Sequence, residues 1–176
     1  MSDIKHQVFL KAIIEVIAGI CAHPEDLKIY DDVSGNHVIT LHVYPHQADY
    51  PKLVGAQGRT VNAISHLFVR AAVQLKQPLA FMLQESFIGR REDRIPFAYN
   101  PDFDLPKLER LFDTVAGTVL PGAEIRQTVN GEDISIVVVT DRTDDHNTTV
   151  SALNALFYPY GFAQGRMVNV RLGMKV

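Results

Sequence analysis

Apolar side chains recur along this chain at two different periods, and the alternation of those periods predicts its secondary structure. In residues 4–22 they recur every three or four positions, which is typical of a helix with a buried stripe. In residues 37–44 they alternate with polar side chains, which is typical of a strand. Over the first 86 residues the pattern predicts a helix (4–22), two strands (26–32 and 37–44), a short helix (47–53), a helix with its apolar stripe at Val61, Ile64, Phe68, Ala71 and Leu75, and a strand containing Leu79, Phe81 and Leu83.

Residues 105–176 repeat this order of elements with shorter connections. The pattern predicts a helix from Leu105 to Val119 capped by Asp104, a hairpin of strands 123–129 and 132–140 around Asn130-Gly131, a helix over 148–157 and a strand over 167–172. The letters repeat as well, because residues 60–68 and 149–157 agree at five of nine positions. The matched order and letters indicate an internal duplication with an offset of 89 residues.

Two glycines three positions apart precede the helix of the first half that carries Val61 and Ile64. Gly55 and Gly58 allow the backbone to turn tightly, and Arg59 follows directly. The amides at the start of a helix, with the positive end of its dipole, favour a bound phosphate group. The offset of 89 residues pairs this loop with residues 144–147, Asp-Asp-His-Asn, where carboxylates would repel phosphate. The pattern therefore predicts that only the first of the two copies has a phosphate-binding loop.

Composition and charge narrow the class of protein. Hydrophobic residues make up 47% of the chain and charged residues 21%, as in ordinary folded domains. No apolar run is long enough for a membrane span, and the N-terminus lacks the layout of a signal peptide, so a cytoplasmic protein is expected. Cys21 is alone and is expected to be a buried thiol. The net charge of −3 argues against a broad basic surface, so any nucleic acid must bind a local patch.

Residues 4–86 resemble a type II KH domain, particularly that of the small bacterial KH RNA-binding proteins. The likeness rests on His23-Pro24-Glu25-Asp26, the strand pair and residues 53–64, Leu-Val-Gly-Ala-Gln-Gly-Arg-Thr-Val-Asn-Ala-Ile. The resemblance implies an α+β protein of two tandem KH-like domains, each a three-stranded sheet covered on one face by helices. Its expected parts are a type II KH domain over residues 1–86, a linker over 87–104, and a degenerate KH-like domain without the glycine motif over 105–176.

The same resemblance implies a partner and a set of contacts. Such a loop holds the backbone of about four nucleotides of single-stranded RNA, with the bases in an adjacent groove. The expected contacts are the loop backbone at Gly55, Ala56, Gln57 and Gly58, charge from Arg59 and Lys52, an apolar floor of Val54, Val61 and Ile64, and a hydrogen bond from Asn62. Because Ala56-Gln57 is neutral where the family often carries a basic residue, the expected affinity is modest.

A different class of function stays open from the sequence. Both folds could serve as a protein-interaction scaffold, with a partner bound through the second half at Asp144-Asp145 or at an aromatic loop over residues 157–162. Under the RNA-binding hypothesis, the linker arginines Arg90, Arg91 and Arg94 could extend the surface along which RNA binds.

Enzymatic motifs are missing from the sequence. No nucleophile elbow, phosphate-binding Walker loop or dinucleotide fingerprint occurs. His42, His46 and Asp49 are metal-ligand types, but strand geometry need not bring them together. His66 is expected at the surface of its helix. We therefore predict no catalytic residue, metal or cofactor.

Overall fold

The protein combines five α-helices with six strands in the part of the chain that a computed structural model describes, residues 2–86, 88–90, 96–141 and 144–174. The helices are α1 (Ser2–Ile20), α2 (Tyr50–Val54), α3 (Arg59–Leu75), α4 (Leu105–Val119) and α5 (Asp144–Gln164). The strands are β1 (Lys28–Val33), β2 (Ile39–Tyr44), β3 (Leu79–Leu83), β4 (Glu124–Asn130), β5 (Asp133–Thr140) and β6 (Met167–Met174). Single turns of 3₁₀ helix lie at Pro24–Asp26 and Ala56–Gly58.

The strands form two three-stranded sheets within these described ranges. In the first sheet β2 is central, antiparallel to β1 and parallel to β3. The second sheet has the order β4-β5-β6 with the same pairing directions. The mixed α+β class with two three-stranded sheets is thereby confirmed, and each predicted strand lies within a few residues of an observed one.

The central strand of each sheet turns one face to the core. In β2 the buried side chains are Ile39, Leu41 and Val43, which alternate with partly exposed ones as the period of two predicts. In β5 the fully buried side chains are Ile134, Ile136 and Val138. Each sheet thus has an apolar face that the helices cover.

Helices from the two halves of the chain pack on one another and share a single core. α3 lies along α5, and α1 packs on both α4 and α5. The Phe9 ring meets Phe68 edge-on with centroids 5.5 Å apart, and Phe112 meets Phe157 at 5.0 Å. A continuous set of buried apolar side chains runs through both halves. The helices therefore hold the first sheet and the second sheet in a fixed relation.

The aromatic segment over residues 157–162 corrects the sequence analysis. The prediction of a loop there is wrong, because α5 is one helix from Asp144 to Gln164 that contains Pro159. Phe157 is fully buried and Tyr160 is 3% exposed, since both pack into the shared core. Burial of these rings outweighs the helix-breaking tendency of the local Pro and Gly. Residues 144–147, predicted to precede the helix, form its first turn.

The described parts of the predicted linker lie against different halves of the chain. Ile88 accepts the backbone N–H of Gln47 in the first half at 2.8 Å, whereas the segment around Asn100 lies against the second half. Asn100 donates its backbone N–H to the carbonyl of Gly165 at 3.0 Å. The Arg166 guanidinium donates to the Asn100 carbonyl at 3.0 Å and lies 4.9 Å from the centre of the Tyr99 ring. Arg90 is exposed. The predicted contributions of Arg91 and Arg94 to an RNA path lie outside the described residues.

Candidate nucleic-acid interface

The connection between α2 and α3, which we call the glycine loop (residues 55–58), has an unusual backbone. Gly55 has φ 77°, Gln57 has φ 57° and Gly58 has φ 75°, so three of its four residues occupy the left-handed side of conformational space. The Gly55 N–H donates to the Pro51 carbonyl at 2.9 Å, and the Gly58 N–H donates to the Gly55 carbonyl at 3.1 Å. These bonds end α2 and turn the chain into α3 within one short loop.

The two glycines of this loop are required for different reasons. A Cβ added to Gly55 would lie 2.7 Å from the backbone nitrogen of Thr60, so side-chain space is missing as well as conformational freedom. A Cβ added to Gly58 would meet nothing closer than Asn62 Nδ2 at 3.4 Å. Gly58 is therefore needed for its left-handed φ alone.

The start of α3 has no side-chain cap, and its Gly58 and Arg59 N–H groups donate to the carbonyls of Gly55 and Ala56. Gly58 occupies the N-cap position, and no side chain of the described residues accepts a hydrogen bond there. Ala56, Gln57, Arg59 and Asn62 are exposed around this point. Arg59 forms no ion pair within the described part of the chain. The loop thus combines a helix start without a side-chain cap, a helix dipole and one uncompensated positive charge, which together favour an anion.

The other predicted contact residues are partly or wholly covered. Lys52, Val54 and Val61 are half-buried beside the loop. Ile64 is 0% exposed and belongs to the core, so it supports α3 from below and does not reach the surface. The sequence placed one apolar stripe along α3, whereas the helix buries two sides, one against the first sheet and one against α5.

A buried carboxylate fixes the helix that leads into the loop. Asp49 is 0% exposed and accepts the backbone N–H groups of Ala22 at 2.8 Å and His23 at 2.9 Å. The Lys52 ammonium donates to the same carboxylate at 3.1 Å. The charge of Lys52 is therefore compensated, in contrast to that of Arg59. Burial, with the Asp49 carboxylate adding to it, raises the pKa of the Cys21 thiol to about 12, so this cysteine stays protonated.

α3 and α5 run antiparallel beyond the loop, which the polar contacts between them make clear. Thr60 Oγ1 donates to the Ala155 carbonyl at 3.5 Å near the start of α3. Further along α3, Arg70 lies 4.0 Å from the Asp145 carboxylate. Because 11 residues of helix span about 16 Å, the acidic first turn of α5 lies far from Arg59. The carboxylate in that turn therefore faces Arg70 and not the glycine loop.

His66 lies between those two contacts and is not the free surface residue that its sequence position indicated. Thr149 donates its hydroxyl hydrogen to the Asp145 carbonyl at 2.8 Å, so its oxygen accepts the Nε2–H of His66 at 3.1 Å. Burial lowers the pKa of His66, and Arg70 adds to this effect while Asp145 opposes it. The neutral ring is thus the form that fits between the helices.

Open grooves flank the loop on both sides. The α2-side groove has a volume of about 440 Å³ and is lined by Gln47, Ala48, Tyr50, Pro51, Val54, Gly55 and Glu85. The α3-side groove has a volume of about 720 Å³ and is lined by Arg59 together with side chains of α5 and β6. The contribution of β6 was not visible from the sequence, since it lies more than a hundred residues beyond the loop.

The histidines that have metal-ligand character are arranged differently from the sequence pattern. His42 Nε2 lies 3.2 Å from Asp32 on the outer face of the first sheet, away from Asp49. His23, Asp26 and His46 instead bring one donor atom each within 4.8 Å of one another. The sequence analysis did not single out His23 or Asp26 for this chemistry.

In the group formed by His23, Asp26 and His46, the two histidine rings are stacked. The His23 and His46 ring centroids lie 4.1 Å apart, with an angle of 26° between the ring planes. His46 Nδ1 accepts the Ala48 N–H at 3.0 Å, which places the ring proton on Nε2 in the neutral form. The backbone of Gly89 covers that Nε2 atom. A metal ion bound to His46 would have to displace either the Ala48 N–H from Nδ1 or the Gly89 backbone from Nε2.

Among the described residues, no helix is both long and apolar enough to cross a membrane. No protein-family model matches the chain. The chain is similar to the protein named RNA-binding protein KhpA of Bacillus subtilis (strain 168), with 29% identity over 69 residues, which is 39% of this chain and 84% of that protein. It is also similar to the RNA-binding protein KhpA of Halalkalibacterium halodurans, with 30% identity over 69 residues, 39% of this chain and 90% of that protein. Both relatives are named as RNA-binding proteins and not as enzymes.

Proposed function

The chain belongs to the family of the RNA-binding protein KhpA, and from this premise we propose that it binds single-stranded RNA by gripping the backbone at the glycine loop. The observation that carries the proposal is the loop itself. Its glycines permit left-handed backbone, the following helix starts without a side-chain cap, and an uncompensated arginine stands beside it. The chemistry of that arrangement suits a phosphodiester.

The proposed contacts divide by exposure. Ala56 and Gln57 offer their backbone amides to phosphate oxygens and Arg59 supplies charge, whereas the Gly58 N–H is held by the Gly55 carbonyl. Val54 and Val61 offer half-buried apolar surface to the bases, and Asn62 offers an exposed amide for hydrogen bonding. Lys52 contributes little charge because Asp49 compensates it. Ile64 acts only through the core.

The neutral centre of the loop and the net charge of −3 set the expected strength of binding. Few phosphates are neutralised, so the affinity is modest and falls only gently with salt. For single strands, the logarithm of the affinity falls by about 0.7 per neutralised phosphate for each tenfold rise in salt. A slope corresponding to one to three such contacts, about −0.7 to −2, fits the proposal.

We further propose that residues 1–86 form a type II KH domain and residues 105–176 a degenerate copy of it, joined by 87–104. The equal strand order and pairing directions of the two sheets support this division. In the second half one helix, α5, takes the place of α2, the loop and α3, so this half has no glycine loop. A protein partner bound through the second half remains the alternative use of the fold, without the aromatic loop that first suggested it.

Fluorescence anisotropy with a labelled oligouridine, at salt concentrations of about 50 and 200 mM, tests the function. The key variant is Gly58→Asp, because the position has room for a side chain and Asp tolerates left-handed backbone. The matched control is Gly117→Asp on the exposed side of α4, where an added Cβ meets nothing within 4 Å. The proposal predicts that Gly58→Asp weakens binding at least tenfold and that Gly117→Asp leaves binding unchanged. If both variants bind like the wild type while remaining folded by circular dichroism, the loop does not hold the RNA.

A further inference from the structure

The two grooves beside the glycine loop differ in charge, and that difference selects the direction in which a bound strand leaves the loop. In the α2-side groove the charged lining residue is Glu85, which is exposed. In the α3-side groove the charged lining residues are Arg59 and Arg171, with no carboxylate among them. A polyanion is repelled from the first groove and attracted to the second.

We infer that RNA held at the glycine loop continues along the α3-side groove onto the second half, where Arg171 forms a further phosphate contact. This inference rests on the proposed function and adds to it a role for the half that lacks the loop. The second half of the chain, which lacks the glycine loop, then extends the RNA-binding surface of the first half.

Arg171 lines the groove from the edge of the second sheet. β6 is an edge strand, and along it the buried Val168 and Val170 alternate with the exposed Asn169 and Arg171. Asn154 of α5 accepts the Val170 N–H through Oδ1 at 2.8 Å. This bond fixes the edge strand against α5 and so holds Arg171 at the rim of the groove. The arginine is therefore presented by a rigid sheet edge rather than by a loop.

The floor of the groove between the two arginines is built by one face of α5. Asn147, Ser151 and Asn154 follow the spacing of four and three that places side chains on one helix face. Ser151 is exposed, whereas Val150 and Ala155 add apolar surface beside the polar row. Polar groups flanked by apolar surface suit the sugars and bases of a strand whose phosphates reach the arginines. The acidic Asp145 is turned away toward Arg70.

The length of the RNA separates a groove contact from a loop contact. The probes are a labelled oligouridine of about four nucleotides, enough for the loop, and one about three times as long. The variants are Arg171→Glu and, as an independent change on α5, Ser151→Glu at an exposed position. The matched control is Arg126→Glu on β4, the opposite edge of the same sheet, whose side chain is 64% exposed.

We expect Arg171→Glu and Ser151→Glu each to weaken binding of the long oligouridine about tenfold and to leave the short one within about twofold. The salt slope for the long oligouridine should become shallower by about 0.7 in Arg171→Glu, the value for one phosphate contact on a single strand. Arg126→Glu should change neither the affinity for the long oligouridine nor the salt slope. Equal losses in Arg171→Glu and Arg126→Glu would make the effect one of general charge and overturn the inference.

The outcome also distinguishes the groove from the loop. If Gly58→Asp abolishes binding of both oligouridines while Arg171→Glu and Ser151→Glu change neither, the groove inference fails and the proposed function stands. If Gly58→Asp has no effect on either oligouridine, the proposed function fails and the groove inference fails with it.

Discussion

His66 of α3 and Thr149 of α5 are joined by a hydrogen bond of 3.1 Å, and this contact has a counterpart between Thr60 and Ala155. The offset of 89 residues carries Thr60 onto Thr149 and His66 onto Ala155. The two contacts are therefore exchanged by the offset, as happens between identical subunits across a two-fold axis. This exchange supports the proposal that the chain arose by duplication and that its halves pack as two subunits would.

The burial of His66 between α3 and α5 gives the protein a predicted response to acid. Burial lowers the folded-state pKa of His66, so below its ordinary value near 6.5 the unfolded chain binds more protons than the folded one. The stability that the neutral ring contributes is present above that value and is lost as the pH falls through the folded pKa. Urea unfolding at about pH 7.5 and about pH 5.5 should therefore show a loss of stability on acidification.

The variant His66→Gln isolates this effect, because its amide keeps a donor for Thr149 but has no proton to gain. We expect the free energy of unfolding of this variant to depend less on pH across that range than that of the wild type. Identical pH dependence in the two proteins would show that His66 does not contribute to acid sensitivity.

The glycines of the loop predict unequal costs of substitution. Gly58→Ala places an L side chain in a left-handed conformation with free space around it, which costs about 1 kcal/mol. Gly55→Ala adds a clash with the backbone of Thr60, so its cost should exceed about 2 kcal/mol. Urea denaturation of the two variants measures the difference. Equal costs would contradict the close approach of Gly55 to Thr60.

Replacement of Asp49, which lies at the start of α2, is expected to lower the stability of the fold. Its carboxylate satisfies two backbone amides at the end of α1 and pairs with Lys52. Asp49→Ala leaves those donors without their acceptor and should lower the free energy of unfolding by about 2–4 kcal/mol. Lys52→Met is the matched control and should cost less than Asp49→Ala, since both amide bonds to the carboxylate remain. A larger loss in Lys52→Met would reverse this assignment.

The periodicity of the sequence predicted the elements well but not how they pack. The alternation in residues 37–44 identified β2, and Asn130-Gly131 identified the hairpin of β4 and β5, because both signals are local. The sequence pattern did not predict that α5 continues to Gln164, because this extension depends on tertiary contacts. A Cβ at Gly161 would lie 2.8 Å from the carbonyl of Arg166, so this glycine serves the close return of the chain toward β6 and does not end the helix.

The candidate site was likewise predictable only in its local part. The residues of the loop are adjacent in sequence, and their glycines carry the signal. Arg171 lines the same groove as Arg59 only because α3 and α5 pack antiparallel and β6 follows α5 at the sheet edge. No periodicity encodes that packing. The burial of Ile64 also depends on neighbours that are distant in sequence. Lys52 and Asp49 are only three residues apart, but the burial of Asp49 depends on the distant amides of Ala22 and His23.

The most direct measurement for the central claim is the change of backbone amide chemical shifts when a short oligouridine is added to the ¹⁵N-labelled protein, whose mass of 19.6 kDa suits the method. The account predicts that the largest changes occur at the amides of Ala56, Gln57, Gly58 and Arg59, while Gly117 and Gly131 stay unchanged. Saturable changes confined to other parts of the protein, with the loop amides unmoved, would contradict it.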